Sequence, residues 1–575
     1  MYFSQVNVPT EFTLTAAQAY ADIFNEVEVD VLFTGPDGAE YRVPAFWAGG
    51  QNFGVRFAAP KPGKYAYTSI CSNVDDCGLH GKTGELEAAP YTGKAHLYQH
   101  GKLRVAASGR TLEHVDGEPF FWLGDTWWMG TTTRLDWPHG FHNLLQDRVA
   151  KGFNLAQIVA GPLPDFDASD AAWHPEQANE AGWPWEEGWT KINPGHYDLV
   201  DLKFAAMIEH GMVPCIVGMW GFYLPFMGVD RIKKHWRNLV ARYGAYPVIW
   251  CICGEVNMPT YSSTPEEVAV RRPMQEEGWT EVTRYVREID PFHNPMTAHP
   301  SHPDSRAMLG DESLLDVDMM QTGHSGFQSL RPTVETVIQC LAQQPPMPTI
   351  NSEVNYEGIM GSSWQEVQRF CFWTSITSGS AGHTYGAQGI WCMNSCNEPF
   401  TGSTVCWGEG YWEDVMHLLG SKHVGLGKKF FDRYPWWLFE PRTEPLLQEG
   451  RISAFATGIP GAVAIYYIPF VAGVVNELQG ICATWSGHPG AITIEPGANY
   501  TAYYFNPRTG ADIPIGGPSN TGENKHFRPR GAKIIAGPVE PDQNGQWIPP
   551  TKPTMEDWVL VLEDKEKLAK IRNGR

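Results

Sequence analysis

The chain has 575 residues, 42% of them hydrophobic and 19% charged, a globular composition too long for a single core. A formal net charge of -21 disfavours nucleic acid and anionic membrane as partners. Aromatic residues reach 13% with 23 Trp, which suits packed β domains or a cleft of flat apolar faces, and sugar rings stack on such faces.

The N-terminal MYFSQVNVPTEF has no basic stretch leading into an apolar one, so no secretory signal is expected. No apolar run is long enough to span a bilayer, so neither a membrane partner nor a spanning segment is expected. Eleven scattered Cys read as free thiols in a reducing cytoplasm, with Cys71–Cys77 and Cys392–Cys396 as alternative pairs. No Cys-x-x-Cys pair with matching partners signals a structural zinc site.

Residues 1–95 read as short strands. Val29–Phe33 alternates and Gly35–Gly38 turns. Tyr41–Phe46, Phe53–Phe57 and Lys64–Thr68 follow, which together predict a β sandwich. From about residue 115 apolar runs alternate with helical periodicity. Predicted strands are Phe120–Asp125, Phe153–Ile158, Val213–Met219, Val248–Gly254, Met296–His299, Val317–Gln321, Thr349–Ser352 and Ala381–Tyr385. The helices between them are Leu144–Lys151, Leu199–His210, Val229–Tyr243, Thr264–Ile289, Thr333–Ala342 and Ser363–Ser378. Eight such units over residues 96–438 predict a (β/α)8 TIM barrel, of mixed α/β class. A doubly wound sheet would want a Gly-rich phosphate turn after its first strand, and Gly124-Asp125-Thr126-Trp127-Trp128 is not one. Residues 439–575 return to strands: Ile452–Ala456, Val463–Ile468, Ala491–Glu495, Tyr500–Phe505 and Trp558–Leu562. The turn Asn506–Gly510 and a charged tail from Asp564 complete this second β-sandwich domain.

Barrel chemistry sits at the C-terminal ends of the strands. Glu255 ends strand four in Cys253-Gly254-Glu255-Val256-Asn257, and Glu353 ends strand seven in Asn351-Ser352-Glu353. They are 98 residues apart, three βα units of about 33 residues, so strands four and seven are expected to face each other across the mouth. Two carboxylates so placed suit glycosidic cleavage. Separations of about 5–5.5 Å give retention and about 6.5–9.5 Å inversion. Asp125, Gln157, Trp220, His299, Gln321, His324 and His383 occupy other strand ends and supply acceptors, donors and a stacking face. Trp127, Tyr356 and Trp391 complete the expected substrate-binding set. A metal centre built from His299, His302, Asp304, His324 and His383 is the competing idea, but strand one lacks His-x-His, so no metal or cofactor is expected. The insertion 161–196, with Trp173, Trp183, Trp185 and Trp189, either walls the cleft or merely packs.

Three motifs carry a resemblance: Pro119–Thr126, Asn351-Ser352-Glu353 with Tyr356-Glu357-Gly358, and Gly382–Trp391. They resemble the family filed as domain of unknown function 4038, clan A barrel glycosidases that include the family 140 apiosidases. Val43–Trp47, Val55-Arg56-Phe57 and Pro62–Thr68 resemble the β sandwich called domain of unknown function 5060. Tyr504–Gly510 and Asp557–Glu563 resemble an appended β domain labelled collagen-binding. The resemblance implies a retaining mechanism, with Glu353 as nucleophile and Glu255 as acid/base. There are two departures. The family often shows Gly-Gly-Asp at strand four, where this chain has Cys253-Gly254-Glu255. Clan A enzymes commonly place Asn before the acid/base, where this chain has Gly254. The expectation is therefore an exo-acting retaining glycoside hydrolase on short oligosaccharides or glycosides, cytoplasmic, with a small carbohydrate as partner and a homo-oligomer allowed. The alternatives are a non-catalytic carbohydrate-binding or scaffold protein and a metal-dependent barrel hydrolase.

Overall fold

A computed structural model describes residues 1–166, 174–260, 262–400, 410–442, 447–448, 451–452, 455–470, 491–519 and 535–573. Eight parallel strands form a nearly closed (β/α)8 barrel: Trp122–Trp127, Leu155–Val159, Val213–Val217, Ile249–Cys251, Met296–Thr297, Asp318–Gln321, Thr349–Glu353 and Gly382–Tyr385. Every residue of these strands is buried, as expected for a parallel sheet covered on both faces. The chain divides into two compact units, Met1–Gln321 with Gln388–Met416, and Thr322–Ala387 with His417–Arg575. Among the described residues no helix is long and apolar enough to cross a membrane.

The first unit opens with a β sandwich. One sheet holds Tyr2–Gln5, Thr83–Ala89, Gly63–Cys71, Val29–Thr34 and Glu40–Pro44; the other holds Pro9–Thr15, Asn52–Ala58 and Phe46–Trp47. Alternation in Val29–Thr34 buries Val29, Val31 and Phe33, each contributing roughly 1.5–3 kcal/mol. Phe33 stacks on Phe57 with ring centroids 4.1 Å apart. Arg56 then ties the sandwich to barrel helices. It pairs with Asp201, and its Nη1 donates to the carbonyl of Arg242 at 2.9 Å. The Arg242 guanidinium lies 4.2 Å from the centroid of the Phe46 ring.

Barrel strands one to five belong to this unit and pair in chain order. The register aligns Thr126, Gln157, Cys215 and Ile249 on one face of the sheet. The helix Val229–Tyr243 has the bounds expected from its periodicity. Strand six begins at the buried Asp318, which accepts from Ser305 Oγ at 3.1 Å. Burial, reinforced by the charge of Asp304, pushes the Asp318 carboxyl up to about 7.

In the second unit the C-terminal β domain is a sheet ordered Glu440–Pro441, Phe455–Ile459, Val463–Ile468, Trp558–Glu563, Thr501–Phe505 and Asp512–Ile515. It packs on the helix Gln365–Ser378. Trp373 stacks on Tyr467 at 5.9 Å, and Arg369 donates twice to Asp557, at 2.7 and 2.8 Å. The expected charged tail is a helix, Lys565–Asn573; Asp564 Oδ1 accepts from Lys567 N at 3.1 Å and Leu568 is buried.

Candidate active site

Strand one presents its two faces to different surroundings. Asp125 is fully buried and accepts from Arg148 Nε at 2.5 Å and from Trp127 Nε1 at 2.8 Å. The Trp127 ring meets Phe141 edge-on at 5.9 Å. Arg148 and Phe141 both belong to the helix His139–Lys151, so Asp125 and Trp127 face the helix layer. This corrects their expected place in the substrate-binding set: a carboxylate spent on a buried guanidinium holds the barrel together. The aromatic that reaches the strand's C-terminal end is Trp128, one residue on, which the sequence reading passed over.

Trp128 belongs to a cluster around Glu255. Its ring lies 5.4 Å from Trp220 and 5.1 Å from His299, with Trp220 and His299 6.1 Å apart. Trp220 Nε1 donates to Glu255 Oε2 at 3.1 Å, and Gln321 Nε2 donates to Glu255 Oε1 at 3.3 Å. His299 is tied in by its backbone, which donates to Cys253 O at 3.0 Å and accepts from Val256 N at 3.2 Å. Glu255 has φ +48°, a left-handed conformation unusual for a side-chain-bearing residue. Such conformations concentrate at functional sites, where the surroundings enforce them. Of the expected residues, Trp220, Glu255, His299 and Gln321 thus come together. Gln157 is buried on strand two, level with Thr126. Trp391 donates its indole N–H to Gln388 at 3.1 Å, and its carbonyl accepts from Met129 N at 3.1 Å, beside Trp128 in the chain.

In the second unit Glu353 closes strand seven and is buried. His324 Nε2 donates to Glu353 Oε1 at 2.7 Å, and the His324 ring lies 4.6 Å from Tyr356. Thr322 N donates to the Glu353 carbonyl at 3.0 Å. Asn355 braces the same loop, accepting from Gly326 N at 2.9 Å and donating to Gly326 O at 3.1 Å. Glu353, His324 and Tyr356 are therefore one assembly. The neighbouring Glu357 is different: it accepts from Tyr385 Oη at 2.6 Å and Gly420 N at 3.0 Å, a buried staple of the fold.

His383 also departs from its expected role. Its ring packs edge-on against Phe372 of the helix Gln365–Ser378 at 5.5 Å, and neither ring nitrogen has a hydrogen-bond partner among the described residues. Burial holds its pKa down to about 3, so it is neutral. It faces the helix layer and belongs to neither the substrate-binding set nor the metal set. In the insertion, Trp185 is buried and donates to His235 Nδ1 at 3.2 Å, and Trp189 packs edge-on to Tyr223 at 5.6 Å. Trp183 donates to the His174 carbonyl at 3.1 Å, and Trp173 lies outside the described residues. A cavity of about 560 Å³ lies in the C-terminal β domain, lined by Tyr503, Asp512 and Glu563 among others, and contains neither strand-end glutamate.

Polar and aromatic side chains gather near glutamates at the C-terminal side of the strands of this (β/α)8 barrel, which is where barrel enzymes place their chemistry. The model of the family "Apiosidase-like, catalytic domain" matches residues 106–438, more than half of the chain, and the chain belongs to that family. Residues 7–72 match domain of unknown function 5060. Three solved structures show the same fold. One is titled a glycoside hydrolase, with 20% identity, TM-score 0.63, and 83% of this chain and 99% of that chain covered. A glycoside hydrolase family 5 protein of Bacteroides vulgatus has 20% identity and TM-score 0.61, covering 82% and 95%. A candidate glycoside hydrolase of the same organism has 14% identity and TM-score 0.66, covering 98% and 100%. No curated protein matches the chain in sequence.

Proposed function

We propose that the chain is a retaining, exo-acting glycosidase in which Glu353 is the nucleophile and Glu255 the acid/base. The observation that carries this is how the two glutamates are held. Glu353 ends strand seven and Glu255 lies in the segment just after strand four, and each accepts from side chains that can also contact a sugar: Trp220 and Gln321 on Glu255, His324 on Glu353. Asp125, locked to Arg148, shows what a structural carboxylate looks like in the same fold. In the first step Glu353 attacks the anomeric carbon while Glu255 protonates the departing oxygen. In the second, Glu255 takes a proton from water, whose oxygen displaces Glu353. The Trp128–Trp220–His299 cluster supplies an apolar face and polar edges for a small carbohydrate, with no cofactor required. Exo action on short substrates is proposed from the length of the insertion after strand two, whose described Trp185 and Trp189 pack within the fold. The exposed free thiols of Cys77 and Cys396 favour a reducing, cytoplasmic setting.

Glu353→Gln tests the assignment. It keeps the shape and the His324 contact but removes the nucleophile, so turnover on an aryl glycoside cleaved by the parent protein is expected to fall by at least ~10³-fold with binding retained. Wild-type turnover by this variant would refute the mechanism.

A further inference from the structure

Gly254 is explained by its neighbour. A Cβ at 254 would stand 2.2 Å from Trp220 Cε3, inside the indole ring. The two backbones are bridged, and Gly221 N donates to Gly254 O at 2.6 Å. A Cβ at Gly221 would in turn meet the Glu255 carbonyl oxygen at 2.8 Å. Trp220-Gly221 and Gly254-Glu255 are thus interlocked dipeptides, and their interlocking brings the indole N–H to Glu255 Oε2.

The indole N–H is a donor only. Oε2 is therefore held as an acceptor whether or not Glu255 is protonated, and since the carbonyl oxygen of an acid accepts better than its hydroxyl oxygen, a proton on the carboxyl is favoured on Oε1. A partner of Oε1 is Gln321, whose amide can present either NH2 to a carboxylate or C=O to an acid. One oxygen is fixed and the other is adaptable.

We propose that Trp220 is a positioning residue that favours Oε1 as the seat of the transferable proton of Glu255, and that Gly254 is required because the indole fills the space of its side chain. This rests on Glu255 being the acid/base. In glycosylation the Oε1 proton passes to the glycosidic oxygen as its bond to the anomeric carbon breaks and the bond to Glu353 forms. In deglycosylation water returns a proton to Oε1 and its hydroxyl to the anomeric carbon, freeing Glu353. Of the titratable groups nearby, the His299 ring packs on Trp220 and Trp128, and His302 Nδ1 lies 3.2 Å from the Gln321 carbonyl.

The test needs no substrate. The pH dependence of the stability difference between the full chain and its Glu255→Gln variant reports the titration of Glu255. Trp220→Phe keeps a ring over Gly254 but deletes the donor to the carboxylate. In that background the midpoint is expected to move up by about one pH unit. His299→Gln in both backgrounds should leave that displacement in place. An unchanged midpoint overturns the proposal, as does a displacement that disappears with His299→Gln. Gly254→Ala, which drives a methyl into the indole, should reproduce the upward move, and a parental midpoint there overturns the part assigned to Gly254. Activity separates the two levels. If Glu255→Gln turns over an aryl glycoside at the parental rate, the acid/base assignment fails whatever the midpoints show. If it is slow and the Trp220→Phe midpoint is parental, only the role of Trp220 fails.

Discussion

Asp318→Asn isolates a single buried acid. Asp318 has no exposed surface, its Oδ1 accepts from Ser305, and its Oδ2 has no hydrogen-bond partner among the described residues. Burial and the nearby Asp304 raise its pKa from 3.8 to about 7. Between those values the folded chain holds a proton that the unfolded chain has released. Stability from this group is therefore complete below pH 3.8 and lost as pH rises through about 7. A shift of about three units at 1.36 kcal/mol each is on the order of 4 kcal/mol. Asparagine keeps the shape, accepts from Ser305 through its carbonyl and cannot ionise. Urea unfolding of both proteins at several pH values between 4 and 8.5 should find the variant gaining on the parent by on the order of 4 kcal/mol across the range, nearly all of it below pH 7.5. A stability difference that stays flat with pH would refute the reasoning.

Two further substitutions separate structural from functional polar groups. Asp125→Ala removes the acceptor of the buried Arg148 Nε, while Nη1 keeps Asp147 and the Met416 carbonyl, and should cost about 1–3 kcal/mol, read as a lower melting temperature; an unchanged melting temperature would mean the pair is dispensable. His383→Leu replaces an imidazole whose nitrogens have no described partner, so the melting temperature should hold or rise and KM should stay put; a raised KM would return His383 to the substrate-binding set.

The architecture was legible because barrel strands and helices differ in period. The helix Val229–Tyr243 and the strand Val463–Ile468 were placed to the residue. What the sequence hid was phase within strands. Trp122–Trp127 is buried on both faces, so it has no alternation of apolar and polar residues to show that Asp125 and Trp127 point one way and Trp128 belongs to the other side. His383 was misplaced for the same reason. Strand one also begins later than expected, because Phe120 pairs antiparallel with Leu112 in a hairpin that precedes the barrel. Strand four is only Ile249–Cys251, since Gly254 and Glu255 leave the ladder to engage Trp220. In the terminal segment the charge distracted from Asp564, which was readable as a helix cap.

The junction at Arg56 has a consequence for how this protein can be cut. An expressed piece beginning at the first barrel strand would lose Arg56 from Asp201 and Phe46 from the face of Arg242. It would also uncover Phe292, a barrel-side ring that packs 6.0 Å from Phe57. The N-terminal sandwich serves as part of the barrel's outer wall. Recombining this barrel with a foreign N-terminal module would require carrying over the arginine seam, and insertions are better placed in the turn at Gly35–Gly38, away from it.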